Sequence, residues 1–317
     1  DVPAVVENPV VATGSVGEIF AKDFWGGRRD YGHVTTYRPV TTATFRLERL
    51  LFGVNPGAAH GINVLLHALA VVLAAAVVRV WGGSRLFAIV VGAWFAVHPI
   101  HVEAIAGVVN RAELLAFVFS VATLLAWRRG RPPLAWVFFA LAIFSKENAV
   151  TVLPLLAFDG WITSARQPST IPLRLRAIAG RLAPFAALLL AMLALRSAVL
   201  PAILGGAIPA LDNPMVDAGW PARALTPFKV LSHAVSKLFF PVNLSPDYSA
   251  YAIAPAGWAD SAAWIGLVLS IGVALAAWRL RARVPALGLG VLFFAATSSV
   301  TSNIPFLSTI LYADRGM

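Results

Sequence analysis

Residues 60–80 read HGINVLLHALAVVLAAAVVRV. A helix needs about 20 predominantly apolar residues to cross the hydrocarbon core of a membrane, and this run is long enough. It closes on Arg79 and Trp81. Further apolar stretches follow at 86–97, 111–127, 132–144, 149–165, 182–199, 261–278 and 284–300. Two of them, 86–97 and 132–144, are short and must borrow neighbours, tilt, or end in a polar cavity. Between the stretches lie Arg79 and Arg85, then Arg128, Arg129 and Arg131, then Arg166, Arg174, Arg176 and Arg181, and last Arg279, Arg281 and Arg283. These clusters occupy alternate connections, as cytoplasmic loops of a helix bundle do. Trp81, Trp127, Trp161 and Trp278 stand beside them, where amphipathic rings anchor at an interface. The expected fold is an all-α, polytopic membrane bundle.

Composition agrees. Of 317 residues, 59% are hydrophobic and only 13% charged, where a soluble domain carries about 25% charged residues. Mean hydropathy is +0.77. The net charge of +10 comes from arginines that orient helices, so it does not indicate a nucleic-acid partner. With no cysteine, disulfides and thiolate metal sites are excluded.

This topology leaves residues 1–59, 98–110, 145–148, 200–260 and 301–317 on the non-cytoplasmic side. Within them, 38–52 (RPVTTATFRLERLLF) and 222–239 have the periodicity of amphipathic helices lying in the interface. Residues 1–59 are expected to form a first outer loop and 60–317 the multi-span core. The chain reads as a fragment cut at both ends, following a transmembrane helix. Of its fifteen acidic residues, only Asp159 falls on the arginine-rich side. The other acids, all six histidines and about half of the cations collect opposite. A bundle that gathers mixed charge at one rim is expected to hold a reaction centre there.

The loop HPIHVEAIAGVVNRAE supplies His98, His101, Glu103, Asn110, Arg111 and Glu113. Local pairing of Arg111 with Glu113 and interfacial capping by the histidines is the plain structural alternative. His98 and His101 with Glu103 lack the HExxH order of a zinc site. Lys146 and Glu147, in SKEN at 145–148, either pair with each other or present Lys146 as a fixed charge for a phosphate. Arg38 and Arg315 are further outer cations. In the N-terminal segment Asp1 is expected against the bilayer surface, and Asp23 precedes the aromatic anchor Phe24-Trp25.

With these residues in hand, a resemblance emerges. Asp23-Phe24-Trp25-Gly26, YRPVTTATFRLERLLFGVNP at 37–56, HGINVLLHAL at 60–69, HPIHVEAIAGVVNRAELLA at 98–116 and FSKENAVTVLPL at 144–155 carry it. DNPMVDAG at 212–219, LSPDYS at 244–249 and SNIPF at 302–306 continue it. The chain resembles the transmembrane O-mannosyltransferases with C-terminal tetratricopeptide repeats, the cadherin-targeting type, and their bacterial relatives. The repeat array itself is absent from this sequence. The resemblance implies a GT-C glycosyltransferase fold, a polyprenyl-phosphate sugar donor, and a hydroxyl acceptor, protein Ser or Thr. It places the active site away from the cytoplasm: periplasmic in a bacterial inner membrane, lumenal in an endoplasmic reticulum membrane. A same-fold transferase acting on lipid or glycan is the alternative. A secondary transporter fits less well, because no inverted repeat is visible and the polar groups sit at one end.

On that reading Asp1 is the expected base, with Glu103 as a second acid. Lys146, Arg111, Arg38 and Arg315 are candidates for the donor phosphate. His98, His101, Asn110, Asp23 and Glu147 are candidates for sugar or acceptor binding. The abundance of cations favours chemistry without a metal; the alternative places Mg²⁺ or Mn²⁺ between Asp1 and the phosphate. Sidedness is directly measurable in a chain without cysteine. A single cysteine at position 101 should react with an impermeant thiol reagent from the non-cytoplasmic side, and cysteines at 129 or 281 only from the cytoplasm. The opposite pattern would overturn the orientation.

Overall fold

The computed structural model describes residues 2–27, 36–164, 170–200, 208, 210–245, 248, 252–280, 283–301 and 303. Among these, every regular element is a helix or a helical turn. In order they are α1 (Pro9–Thr13), α2 (Val16–Ala21), α3 (Pro39–Phe52), α4 (Pro56–Val80), α5 (Arg85–Val97), α6 (Val102–Ala106) and α7 (Arg111–Arg128). Then come α8 (Pro132–Ser145), α9 (Val152–Ser164), α10 (Ile171–Val199), α11 (Ala222–Phe239), α12 (Ser261–Leu280) and α13 (Pro285–Thr301).

Among the described residues four helical stretches are long and apolar enough to cross a membrane: Pro56–Val80, Val108–Arg128, Ile171–Val199 and Ser261–Leu280. A fifth span results if α5 and the helical turns after it count as one broken crossing. The protein is an all-α polytopic membrane protein. The apolar runs expected at 132–144, 149–165 and 284–300 form the shorter helices α8, α9 and α13. In the second of these, Glu147–Thr151 winds as a 3₁₀ turn and the α-helix begins only at Val152. The amphipathic stretch expected at 222–239 has the same bounds as α11, and that at 38–52 becomes α3.

The chain divides into two compact units, one within residues 1–97 and 104–206, the other within 98–103 and 207–317. In the first unit α7 is the central helix. Of its apolar window 67% is buried, against 17% for α4 and α10. A helix hydrophobic on every side belongs inside a bundle. Trp127 and Phe139, from α7 and α8, both meet the fully buried ring of Phe185 edge-on, at 5.8 and 5.3 Å. In α5, Gly92 permits close approach to α4: a Cβ there would lie 3.3 Å from that of Ala75.

Asp159, the lone acid of the arginine-rich end, is buried and fully engaged. It accepts from Trp81 Nε1 (3.0 Å), Trp127 Nε1 (3.0 Å) and Arg128 Nη1 (2.8 Å), tying α9 to α7 and the end of α4. Arg128 also stacks over Trp81, and Arg181 over Trp127 at 4.0 Å. The acid is there because three donors need one acceptor.

The N-terminal segment folds onto α3. Asn8 spans Ala4 O and Phe24 O, while Arg46 reaches Ala12 O and Gly14 O. Ala4, Val11, Phe24, Phe45, Ala59 and Val108 form an apolar core beneath. Beside it lies a buried ion pair, Glu48 Oε2 to Arg111 Nη2 at 2.5 Å. Arg111 Nε also donates to Asn63 Oδ1 (2.9 Å), Nη2 to Ala59 O (3.2 Å), and the guanidinium lies 4.6 Å from the Phe45 ring centroid. Asn63 Nδ2 in turn holds the carbonyls of Ile105 and Gly107, fixing the turn before α7.

In the second unit α11 and α12 pack so closely that a Cβ on Gly266 would fall 1.9 Å from the Phe228 carbonyl oxygen. Only glycine fits there. Asp260 receives Lys229 at 2.8 Å and accepts from the amides of Ala262 and Ala263, anchoring the start of α12. The Lys229 ammonium and these amides hold the Asp260 carboxyl below its ordinary value. Lys237 is buried and donates to the carbonyls of Val242 and Asn243.

Removing one member of a buried ion pair costs about 3–5 kcal/mol, because the other charge is left stranded. Glu48→Gln should therefore lower stability by an amount of that order in detergent unfolding experiments. The double variant Glu48→Gln/Arg111→Met should recover much of the loss. Equal stability of Glu48→Gln and wild type would show that the pair is not formed.

Candidate active site

The site of the first unit is built where two helices stop. α8 ends at Ser145, after which Lys146 is extended (φ −158°, ψ 139°). Thr41, in the first turn of α3, donates to the Ser145 carbonyl at 2.9 Å, a group left without a partner by the helix end. This bond seats the start of α3 on the α8–α9 turn. Arg38 immediately precedes α3, and Pro39 opens the helix. The register thus places the Arg38 guanidinium opposite Glu147.

Arg38 grips Glu147 with a two-point fork, Nε to Oε2 at 3.3 Å and Nη2 to Oε1 at 3.2 Å. Its guanidinium also lies 5.6 Å from the centroid of the Phe24 ring. Burial alone would raise the Glu147 carboxyl, but the charge and hydrogen bond of Arg38, with Lys146 adjacent, outweigh it and hold it at about 2. An unpaired glutamate titrates near about 4.3. The stability this adds is present above that ordinary value and is lost as pH falls towards about 2. Glu147 retains 37% side-chain exposure, so solvent screens the pair. The acid is ionised at any working pH; it holds Arg38 and is a poor proton acceptor.

Lys146 turns the other way and contacts Glu113 in the first turn of α7. That position also sets the carboxylate near the positive end of the helix dipole. Asn148 Oδ1 is buried without a hydrogen-bond partner among the described residues. Arg196, in the last turn of α10, is buried and within electrostatic reach of both Glu147 and Arg38. The first unit thus brings together Arg38, Glu113, Lys146, Glu147 and Arg196.

Other expected site residues are placed differently. Arg111 is fully buried in its pair with Glu48, so its charge is spent inside the first unit. The local Arg111–Glu113 and Lys146–Glu147 pairings give way to Arg111–Glu48, Lys146–Glu113 and Arg38–Glu147. Asp23 uses Oδ1 to accept from the amides of Trp25 (3.1 Å) and Gly27 (2.7 Å), closing a turn. Asn110 is half-buried at the residue before α7 and makes no side-chain cap there.

His98, His101 and Glu103 belong to the second unit. His98 Nδ1 accepts from Ile100 N at 3.2 Å, and Nε2 stands 3.1 Å from the Leu238 carbonyl. Those partners require a neutral ring carrying its proton on Nε2. The rings of His98 and His101 meet edge-on at 6.1 Å. Glu103 is half-buried, with one carboxylate oxygen wholly enclosed. Asp1 and Arg315 lie outside the described residues.

A polytopic helical membrane protein with paired cations and carboxylates at the turn between two helices is the class that these features define. Comparison with known proteins narrows it. The chain is 36% identical to Protein O-mannosyl-transferase TMTC1 of Mus musculus over 189 residues, 53% of this chain and 20% of that protein. It is 34% identical to Protein O-mannosyl-transferase TMTC3 of Homo sapiens over 166 residues, 48% of this chain and 18% of the relative. With Protein O-mannosyl-transferase Tmtc1 of Drosophila melanogaster it shares 37% identity over 148 residues, 44% and 17% of the two chains. The resemblance carried by the sequence motifs is thus borne out: about half of the chain is similar to the TMTC proteins. The matches span about a fifth of those relatives' length. No family model matches the chain, and no solved structure matches it significantly.

Proposed function

We propose that this chain is part of a GT-C-type glycosyltransferase. It moves a sugar, mannose or similar, from a polyprenyl-phosphate donor to a hydroxyl, protein Ser or Thr, on the non-cytoplasmic side of the membrane. The observation that carries this reading is the cluster at the α8–α9 turn in a chain related to proteins named O-mannosyl-transferases. A phosphate leaving group develops charge as the glycosidic bond breaks, and preorganised cations stabilise it. Arg38 and Lys146 are such cations, each held in place by a carboxylate.

In the proposed reaction the acceptor oxygen attacks the anomeric carbon, and the bond from that carbon to the phosphate oxygen breaks. The electron pair leaves with the phosphate, and the hydroxyl proton passes to a carboxylate. A single displacement inverts the anomeric centre. Asp1 is the proposed base and Glu103 the second acid. Glu147 is unsuited to that task, since Arg38 keeps it ionised and weakly basic. Arg111 is left to Glu48. With several cations available for the phosphate, no metal is required in this scheme.

The test uses the full-length protein in detergent or nanodiscs, a labelled polyprenyl-phosphate mannose and a Ser/Thr acceptor peptide. Lys146→Met should lower turnover by about 10²–10³-fold, the usual effect of removing one charge-stabilising donor. Asp1→Asn should abolish transfer while donor binding persists. Absence of donor-dependent transfer by the wild type would overturn the function, and unchanged turnover in Asp1→Asn would remove that residue as the base.

A further inference from the structure

α10 is longer than the hydrocarbon it has to cross. Its 29 residues extend about 43 Å at about 1.5 Å each, against about 30 Å for the apolar core of a bilayer and about 40–45 Å with both headgroup layers. The apolar stretch 182–199 nearly fills the core by itself, at about 27 Å. Residues 171–181 therefore stand in the headgroup layer at the arginine-rich end. There Ile171, Leu173 and Leu175 are 60%, 58% and 54% exposed, interleaved with Arg174 and Arg176. Exposed apolar side chains alternating with arginines suit a lipid interface better than bulk water.

The fold brings this segment to the connection between α7 and α8. Trp127, at the end of α7, and Phe139, in α8, both meet Phe185 of α10. One turn before Phe185, the Arg181 guanidinium lies 4.0 Å from the centroid of the Trp127 ring. Arg129 and Arg131 follow Trp127 closely, on either side of Gly130. Arg128 is engaged by Asp159 and Thr163, and Asp159, the one described acid at this end, is occupied by three donors. Arg129, Arg131, Arg176 and Arg181 are exposed instead, and none of them pairs with a carboxylate among the described residues. Orienting the helices asks only for positive charge in these connections. It does not ask for a guanidinium whose face is covered by a buried indole while its N–H groups donate to no described residue.

We propose that the arginine-rich end of the first unit is a docking surface for anionic phospholipid, its headgroup phosphate held between the α7–α8 connection and the start of α10. Stacking on Trp127 fixes the plane of the Arg181 guanidinium, which presents a fork of donors matched to phosphate oxygens. Arg129, Arg131 and Arg176 add the surrounding positive field, which no described carboxylate cancels. A zwitterionic lipid offers the same acyl chains and the same phosphate without net charge, so the surface discriminates by charge. This surface is independent of the reaction proposed above.

The experiment measures binding of phosphatidylglycerol and of phosphatidylcholine with identical acyl chains to the full-length protein in neutral detergent. Wild type should prefer the anionic lipid by about 10-fold or more, and the preference should shrink as salt is raised. An arginine near an anionic headgroup is worth about 5-fold in binding, so Arg129→Gln/Arg131→Gln should abolish the preference. Arg181→Lys keeps the charge, and with it the signal that orients the helices, but loses the planar fork. It should weaken phosphatidylglycerol binding by about 3-fold or more and leave phosphatidylcholine binding unchanged. Should the double variant fail to insert or fold, Arg181→Lys carries the test alone. Lys22→Gln, in the N-terminal segment, should match wild type. Equal binding of the two lipids by the wild type overturns the proposal, and so does a preference that survives intact in both the double variant and Arg181→Lys. Displacement of the bound lipid by an equal concentration of inorganic phosphate would assign the site to a free anion and overturn it as well.

Discussion

The fork between Arg38 and Glu147 determines what else the turn between α8 and α9 can be. It joins a residue of the N-terminal segment to one separated from it by 109 positions. Together with the Thr41 bond to Ser145 it fastens the start of α3 to the end of α8. Without it, an ionised carboxylate and a guanidinium would each stand half-buried without a partner. Beside it Lys146 is turned towards Glu113, so that cations and carboxylates alternate at this turn.

Each end of the first unit resolves its charges in its own way. At the arginine-rich end a single carboxylate, Asp159, collects two indoles and a guanidinium, and surrounding arginines stack on the same rings. Those charges are structural and leave no acid to spare. At the other end cations and carboxylates are matched in pairs drawn from distant segments, and one buried arginine is added. Paired charge keeps the cations at fixed positions at modest cost, which is what the proposed role at a donor phosphate would ask of them.

Much of this was legible in the sequence. The amphipathic period of 222–239 marks out α11, and the uneven distribution of acids singled out Asp159 before its three donors were known. The partners of the charged residues were not legible, for physical reasons. Arg111 and Glu113 are two apart on a helix and do not face each other. Lys146 is extended, so its side chain and that of Glu147 leave on opposite sides. Tertiary packing then supplied Glu48, Glu113 and Arg38 as partners. Glu48 and Asn63 escaped notice because each lies within a segment read for its apolar face alone. Arg196 carried a signal, a lone arginine on the buried stripe of an apolar helix, which a count of loop arginines passes over.

The most direct test of this account is a double-mutant cycle on unfolding stability with Arg38→Met, Glu147→Gln and the double variant. At neutral pH the two substitutions should couple by about 0.5 kcal/mol or more, as residues in direct contact do. The coupling should fade as pH drops from the ordinary glutamate range towards about 2, where Glu147 takes up its proton. Additive effects at neutral pH, to within about 0.3 kcal/mol, would mean that the start of α3 is not held to the α8–α9 turn by this pair, and the charge cluster there would lose its foundation.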